Sequence, residues 1–122
     1  MSPFSSIKPG EAVITSGHNL PNPYVIRCLG PVFGVDHPEE ELLARCYKNA
    51  LLLAEQHKLD SIAFPSISTG FFGFPFEAAT DVVFRTILEI LPILHSVKKI
   101  RFVLFSNKDL AYYQRIFEEL DE

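Results

Sequence analysis

The spacing of apolar residues changes along the chain, and each change marks an element. Ala12-Val13-Ile14-Thr15-Ser16 and Tyr24-Val25-Ile26-Arg27-Cys28-Leu29 are short runs rich in β-branched and aromatic residues, and they read as two strands. Gly17 to Pro23 between them is turn chemistry. From Glu39 to His57 the period becomes helical: Leu43, Cys46, Ala50, Leu53 and His57 share a stripe that Leu42 and Ala54 widen. Glu39, Glu40 and Glu41 fill its first turn, where the helix dipole favours negative charge. Ile62-Ala63-Phe64-Pro65 is a third strand, apolar throughout. A second helix is predicted from Phe76 to Leu91, ended by Pro92. Ala79, Val83, Thr86, Ile87 and Ile90 face inward there, and Glu77, Asp81, Arg85 and Glu89 face outward at ion-pair spacing. Ile100 to Phe105 is the fourth strand, its alternation fitting burial on both faces. Ser106 reads as the cap of a last helix, with Asp109 in the capping-box position and a stripe of Leu110, Tyr113, Ile116, Phe117 and Leu120. The order β-β-α-β-α-β-α predicts an α/β layer fold with a largely parallel sheet, in a single domain over residues 1–122.

In such sheets ligands gather at the C-terminal ends of the strands. Two ends carry candidate chemistry. The third strand runs through Ser66-Ile67-Ser68-Thr69-Gly70-Phe71-Phe72-Gly73-Phe74-Pro75 into a helix. A helix start leaves backbone N–H groups without intrahelical partners, the macrodipole adds positive character, and Gly70 and Gly73 allow close approach of the backbone to an anion. Pro75 gives up an N–H that is unpaired there in any case. The competing reading is a Gly-rich turn whose aromatic side chains fold into the core. The other end is Phe105-Ser106-Asn107, where the fourth strand meets a capped helix; Phe105 reads either as core or as a ligand contact.

Composition narrows the function classes. At 48% hydrophobic residues over 122 positions the chain can build one sizeable core. No apolar run reaches the ~18 residues of a membrane span, and Met1 to Lys8 lacks the basic-then-apolar order of a signal peptide, so a cytoplasmic location is expected. The net charge of −4 without a basic block argues against non-specific binding to nucleic acid, while leaving room for a small anion held by backbone N–H groups. Cys28 and Cys46 are too few for a thiolate zinc site and read as small core residues. His18, His37, His57 and His95 are scattered over loops and helix ends, and no Cys-x-x-Cys or Gly-x-Ser-x-Gly motif occurs. Neither a metal site nor a cofactor is indicated, and no catalytic set is visible.

The Ser66–Pro75 stretch resembles the second phosphate-binding loop of the macro domain family, the ADP-ribose-binding modules. The likeness continues through Gly10-Glu11-Ala12-Val13-Ile14-Thr15, Asn19-Leu20-Pro21, Tyr24-Val25-Ile26, Gly30-Pro31 and Ala63-Phe64-Pro65-Ser66-Ile67-Ser68-Thr69-Gly70, in the family's order. The resemblance implies a three-layer sheet flanked by helices and a ligand such as ADP-ribose or a related small nucleotide. Ser68, Thr69, Gly70, Phe71, Phe72, Gly73 and Phe74 match the residues that hold its diphosphate and distal ribose. Phe105, with Asn107 beside it, matches the contact to adenine. A complete family member carries further residues ahead of Gly10, including a central apolar strand and the Asn and Asp of the O-acetyl-ADP-ribose deacetylase branch. The resemblance thus implies an N-terminally truncated domain that binds but lacks the matching catalytic positions, and no such role passes to Asp36. With that strand missing, the expectation is direct pairing of the Tyr24–Leu29 and Ile62–Pro65 strands and a homodimer covering the remaining apolar surface. The alternative is a fragment without ligand, a structural or self-assembling module.

Overall fold

The computed structural model describes residues 7–16, 24–65, 67, 73–104 and 106–120, the side chains of 117–120 excepted. Its elements follow the predicted order: β1 (Ala12–Ser16), β2 (Tyr24–Cys28), α1 (Glu39–Gln56), β3 (Ser61–Phe64), α2 (Phe76–Ile90), a short 3-10 turn (Leu91–Ile93), β4 (Lys99–Phe102) and α3 (Asn107–Leu120). The strands pair as two separate two-stranded sheets. β1 and β2 are antiparallel, with Ile14 opposite Ile26. β3 and β4 are parallel, with Ile62 beside Ile100 and Phe64 beside Phe102.

Helix α1 holds the two pairs together. It packs on β1, β2 and β3, and lies along α2. Neighbouring residues of α1 reach the ends of two different strands: the Cys46 thiol donates to the carbonyl of Leu29, just past β2, and the Tyr47 hydroxyl reaches that of Pro65, just past β3, at 3.5 Å. β2 and β3 therefore end level with each other and run in the same direction. Direct pairing between them, the expected repair of the sheet, is not found among the described residues. The Leu29–Glu11 bond turns the odd-numbered residues of β2 toward β1, so Tyr24, Ile26 and Cys28 turn their backbone groups away from it. Side chains fill the space instead: Leu43, Tyr47, Ala50 and Leu51 of α1 are buried, and Ile26 joins the core that contains Phe64.

The predicted stripe of α1 is shifted in the structure. Leu43, Cys46, Tyr47, Ala50, Leu51 and Ala54 are buried, while Leu53 is half-buried and His57 is exposed. The helix packs sideways on α2 as well as down on the strands, so its buried face is wider than one stripe and centred elsewhere. α2 buries all five predicted residues together with Thr80, Val82 and Phe84. On its outer face Arg85 pairs with Asp81 at 3.2 Å and with Glu40 of α1 at 3.7 Å.

All three helices meet one face of the parallel pair. Phe64 packs on Tyr47 of α1, with ring centroids 4.8 Å apart, and stacks beside Phe102. Phe102 meets Phe84 of α2 and Tyr113 of α3. The opposite face is open among the described residues: Ser61, Ala63, Lys99 and Arg101 are exposed, and Val103 is 56% exposed. This corrects the expected burial of β4 on both faces. Leu110, at 46% exposed, also leaves the predicted stripe of α3, whereas Tyr113 keeps its place in it.

The C-terminal end of α1 is tied to the entry of β4 by one carboxylate. Glu55 accepts the backbone N–H groups of His95, Ser96 and Val97 at 2.8 to 3.0 Å. These bonds favour the charged form and hold its pKa below the ordinary Glu value. A group with a depressed folded pKa stabilises above its unfolded value, and that contribution disappears as pH falls through the folded value. The melting temperature of wild type should therefore exceed that of Glu55→Gln above roughly pH 5, and the gap should narrow as pH drops below ~4.3. A gap that stays constant or widens in acid would contradict the role given to Glu55. The strand pairing makes a second prediction: amides of Ile26 and Cys28 should exchange with solvent faster than those of Val25 and Arg27. Equal protection along β2 would reveal a ladder on both of its edges.

Candidate functional site

Three strand ends stand in a row. β2 opens into the loop over residues 30–38, β3 into the Gly-rich segment, and β4 into the approach to α3. The segment between Pro65 and Gly73 carries most of the sequence-predicted site. Ser68, Thr69, Gly70, Phe71 and Phe72 lie outside the described residues, as does Phe105. What the structure places is the frame around them.

At the entry, Tyr47 holds the segment. Its hydroxyl reaches the Pro65 carbonyl and accepts the backbone N–H of Ile67. Burial pushes the Tyr47 phenol well above its ordinary pKa, so this group stays protonated as a donor throughout the physiological range. At the exit, Gly73 has φ +75°, a conformation that favours glycine, and a Cβ built there would meet no described residue within 4 Å. The glycine is thus required by the backbone turn and not by crowding from the described residues. Phe74 follows with its ring buried at 3% exposure in the core, so only its backbone remains available to a ligand. Pro75 then sits at the N-cap of α2 in an extended conformation, without a side-chain cap, and Ala79 N–H makes the first helical bond to its carbonyl. The N–H groups of the first turn point outward toward the Gly73 side of the molecule.

The first turn of α2 is fixed from below. Thr80 donates to the Phe76 carbonyl at 2.9 Å and shares a hydrogen bond with Tyr113 of α3. The Phe76 ring lies 5.8 and 5.7 Å from the rings of Tyr112 and Tyr113. Beside it, at the end of β4, Phe102, Leu104, Ser106, Asn107 and Leu110 line an open cleft of about 490 Å³. Ser106 acts as the predicted cap: its hydroxyl accepts the Asp109 N–H at 3.1 Å. Asn107, the first residue of α3, is exposed on this cleft. The structure thus brings Asn107 and both neighbours of Phe105 to the same end of the sheet as Gly73.

The loop on the far side is tightly braced. Val32 donates to Asp36 Oδ2 at 2.8 Å, Gly34 donates to Glu39 Oε2 at 3.1 Å, and Val35 and Asp36 both donate to the Val32 carbonyl. His37 Nδ1 lies 2.8 Å from Glu39 Oε1. The Gly34 N–H and then His37 hold the Glu39 carboxyl below its ordinary pKa. His37-Pro38-Glu39 is a His-x-Glu triplet, a pattern that the sequence reading counted as absent, and its two side chains bind each other across the loop. Asp36 is thereby occupied by the Val32 N–H and His37 by the Glu39 carboxylate. Tyr47 also escaped the reading, although its i+4 spacing from Leu43 marks it as an inward residue with a polar tip. Among the described residues no group of three His, Cys, Asp or Glu side chains converges to hold a metal ion, and no helix is long and apolar enough to cross a membrane.

Comparison with known proteins bears on the same elements. The family model described as Macro domain matches residues 2–83. A macro domain-containing protein of Chlorobaculum tepidum is 48% identical over 107 residues, which cover 87% of this chain and 62% of that protein. An O-acetyl-ADP-ribose deacetylase of Klebsiella pneumoniae is 42% identical over 109 residues, covering 88% of this chain and 62% of its own length. The macrodomain of Oceanobacillus iheyensis superposes with a TM-score of 0.86 as solved with ADP and 0.85 as a variant solved with ADPR. Those matches are 42% and 41% identical, cover 93% of this chain, and take in 60% and 61% of the solved chains. The chain thus spans about three-fifths of the length of these relatives. It belongs to the macro domain family.

Proposed function

We propose that this chain binds ADP-ribose or a related small nucleotide along its row of strand ends. The observation that carries the reading is Gly73, held at positive φ with no described residue crowding its α-carbon, immediately ahead of a helix start without a side-chain cap. A phosphate fits that combination: the backbone can approach it closely, and N–H groups and the helix dipole offset its charge. Ser68 to Phe72, with Gly73 and the backbone of Phe74, would take the diphosphate and the ribose beyond it. The base would enter the cleft at Leu104, Ser106 and Asn107, where Phe105 belongs. The related structures solved with ADP and ADPR support this choice of ligand.

The reading assigns binding without catalysis. Hydrolysis of an ester on the sugar needs a base or a water-positioning group near the reacting carbon. Among the described residues, Asp36 and His37 are engaged by Val32 and Glu39. Turnover of O-acetyl-ADP-ribose by the pure protein should stay at background. A robust rate, abolished by one substitution at His18, Asp36 or His37, would overturn this part of the reading.

Calorimetry with ADP-ribose tests the binding. Gly73→Val places a branched side chain in the open space and forces a strained backbone at a cost of about 1–2 kcal/mol. Gly73→Asn tolerates the same φ with less strain and still fills the space. Both variants should remain folded by circular dichroism and lose ADP-ribose binding. In wild type, ligand at 100 times its dissociation constant should stabilise by about 2.7 kcal/mol in thermal melts. Equal binding by wild type and Gly73→Asn would remove the loop from the site.

A further inference from the structure

Phe33 is the large aromatic side chain of the braced loop. It is 44% exposed, yet it does not sit on a loose segment. Val32 and Gly34 on either side of it are fixed by Asp36 and Glu39. Its ring makes an edge-to-face contact with Phe74, with centroids 5.2 Å apart and planes at 61°. Phe74 is buried and follows directly on Gly73. The protein thus presents an aromatic surface beside the exit of the Gly-rich segment, with its position settled in advance. A ring fixed in this way loses little conformational freedom when something packs on it.

The order of the strand ends says what that would be. The Cys46 and Tyr47 contacts place the ends of β2 and β3 side by side, and β4 lies on the other flank of β3. The Phe33 loop and the Leu104–Asn107 cleft therefore flank the Gly73 segment on opposite sides. A linear ligand with its diphosphate at the centre has two ends, and each must lie on one flank. With the base in the β4 cleft, the far sugar arrives at Phe33. A sugar offers C–H edges to an aromatic face, and the partly apolar ring suits a surface that is neither charged nor a strong hydrogen-bond donor.

We infer that Phe33 packs on the sugar distal to the diphosphate and gives this chain its preference for ADP-ribose over ADP. The inference rests on the nucleotide reading above and adds a residue and a selectivity to it. Calorimetry with both ligands tests it on wild type, Phe33→Ala and Phe33→Tyr. Phe33 is half in solvent, so its replacement leaves the core intact, which circular dichroism checks. Phe33→Ala should weaken ADP-ribose by about twofold to tenfold, the range of one aromatic contact, and leave ADP unchanged. Phe33→Tyr, which keeps the ring, should bind both ligands as wild type does. Unchanged ADP-ribose binding in Phe33→Ala would overturn the inference while leaving the nucleotide reading intact. An equal loss for both ligands would also overturn it, because Phe33 would then act on the shared part of the ligand or on the loop's shape. Binding of neither ligand by wild type would overturn the nucleotide reading itself, and this inference with it.

Discussion

Everything in this structure depends on α1 lying across two pairs of strands between which no ladder forms among the described residues. Two-stranded sheets are marginal alone, and here neither pair has a third strand among the described residues. Helix α1 supplies the missing connection through side chains. Its apolar face covers both pairs, and the adjacent polar tips of Cys46 and Tyr47 take one strand end each. The arrangement is costly to disturb because the contacts are buried. Loss of the Tyr47 ring would open a cavity against Phe64, a change of a kind that costs about 3–5 kcal/mol in other cores. That is a large fraction of the 5–15 kcal/mol by which domains are commonly stable.

The same constraint positions the candidate site. Because α1 fixes the ends of β2 and β3 at one level, and β4 runs parallel to β3, three loops emerge at one edge. Each is then stabilised by a different device. Asp36, Glu39 and His37 brace the first, Tyr47 anchors the second at its entry, and the Ser106 cap starts α3 beyond the third. Loops positioned by a rigid scaffold are a common basis for binding. Here the aromatic cluster of Phe102, Phe84 and Tyr113 beneath the β4 end keeps the cleft's floor fixed.

Much of this was legible in the residues. The element order, the acidic first turn of α1, the Ser106 cap and the inner face of α2 followed from period, capping chemistry and charge placement, all of them local. What was not legible depended on packing partners. A helical stripe tells that a face is buried and not how wide it is, so Tyr47 and Leu51 were missed and His57 was included. The run Phe102-Val103-Leu104 looks like a strand buried on both faces, but no described helix lies over Val103. Strand order is likewise non-local: nothing in Tyr24–Leu29 states that its second edge finds no ladder. The Gly-rich segment was recognised by its wording and by the positive φ that Gly73 demands, which is a property of one residue and so readable in sequence. Phe33 and the Asp36–Glu39 brace emerged only when the loop was folded against the start of α1.

The central claim is that a nucleotide lies along this edge, across three strand ends. Amide chemical shifts of the isotope-labelled protein, followed while ADP-ribose is added, test it most directly. The account predicts that the shifts which move belong to Phe33, Gly34, Gly73, Phe74, Phe76, Leu104, Ser106 and Asn107. Movement confined to the groove between β1 and α1, at Glu11, Val13, Asn49 and Gln56, or no movement at all, would contradict it.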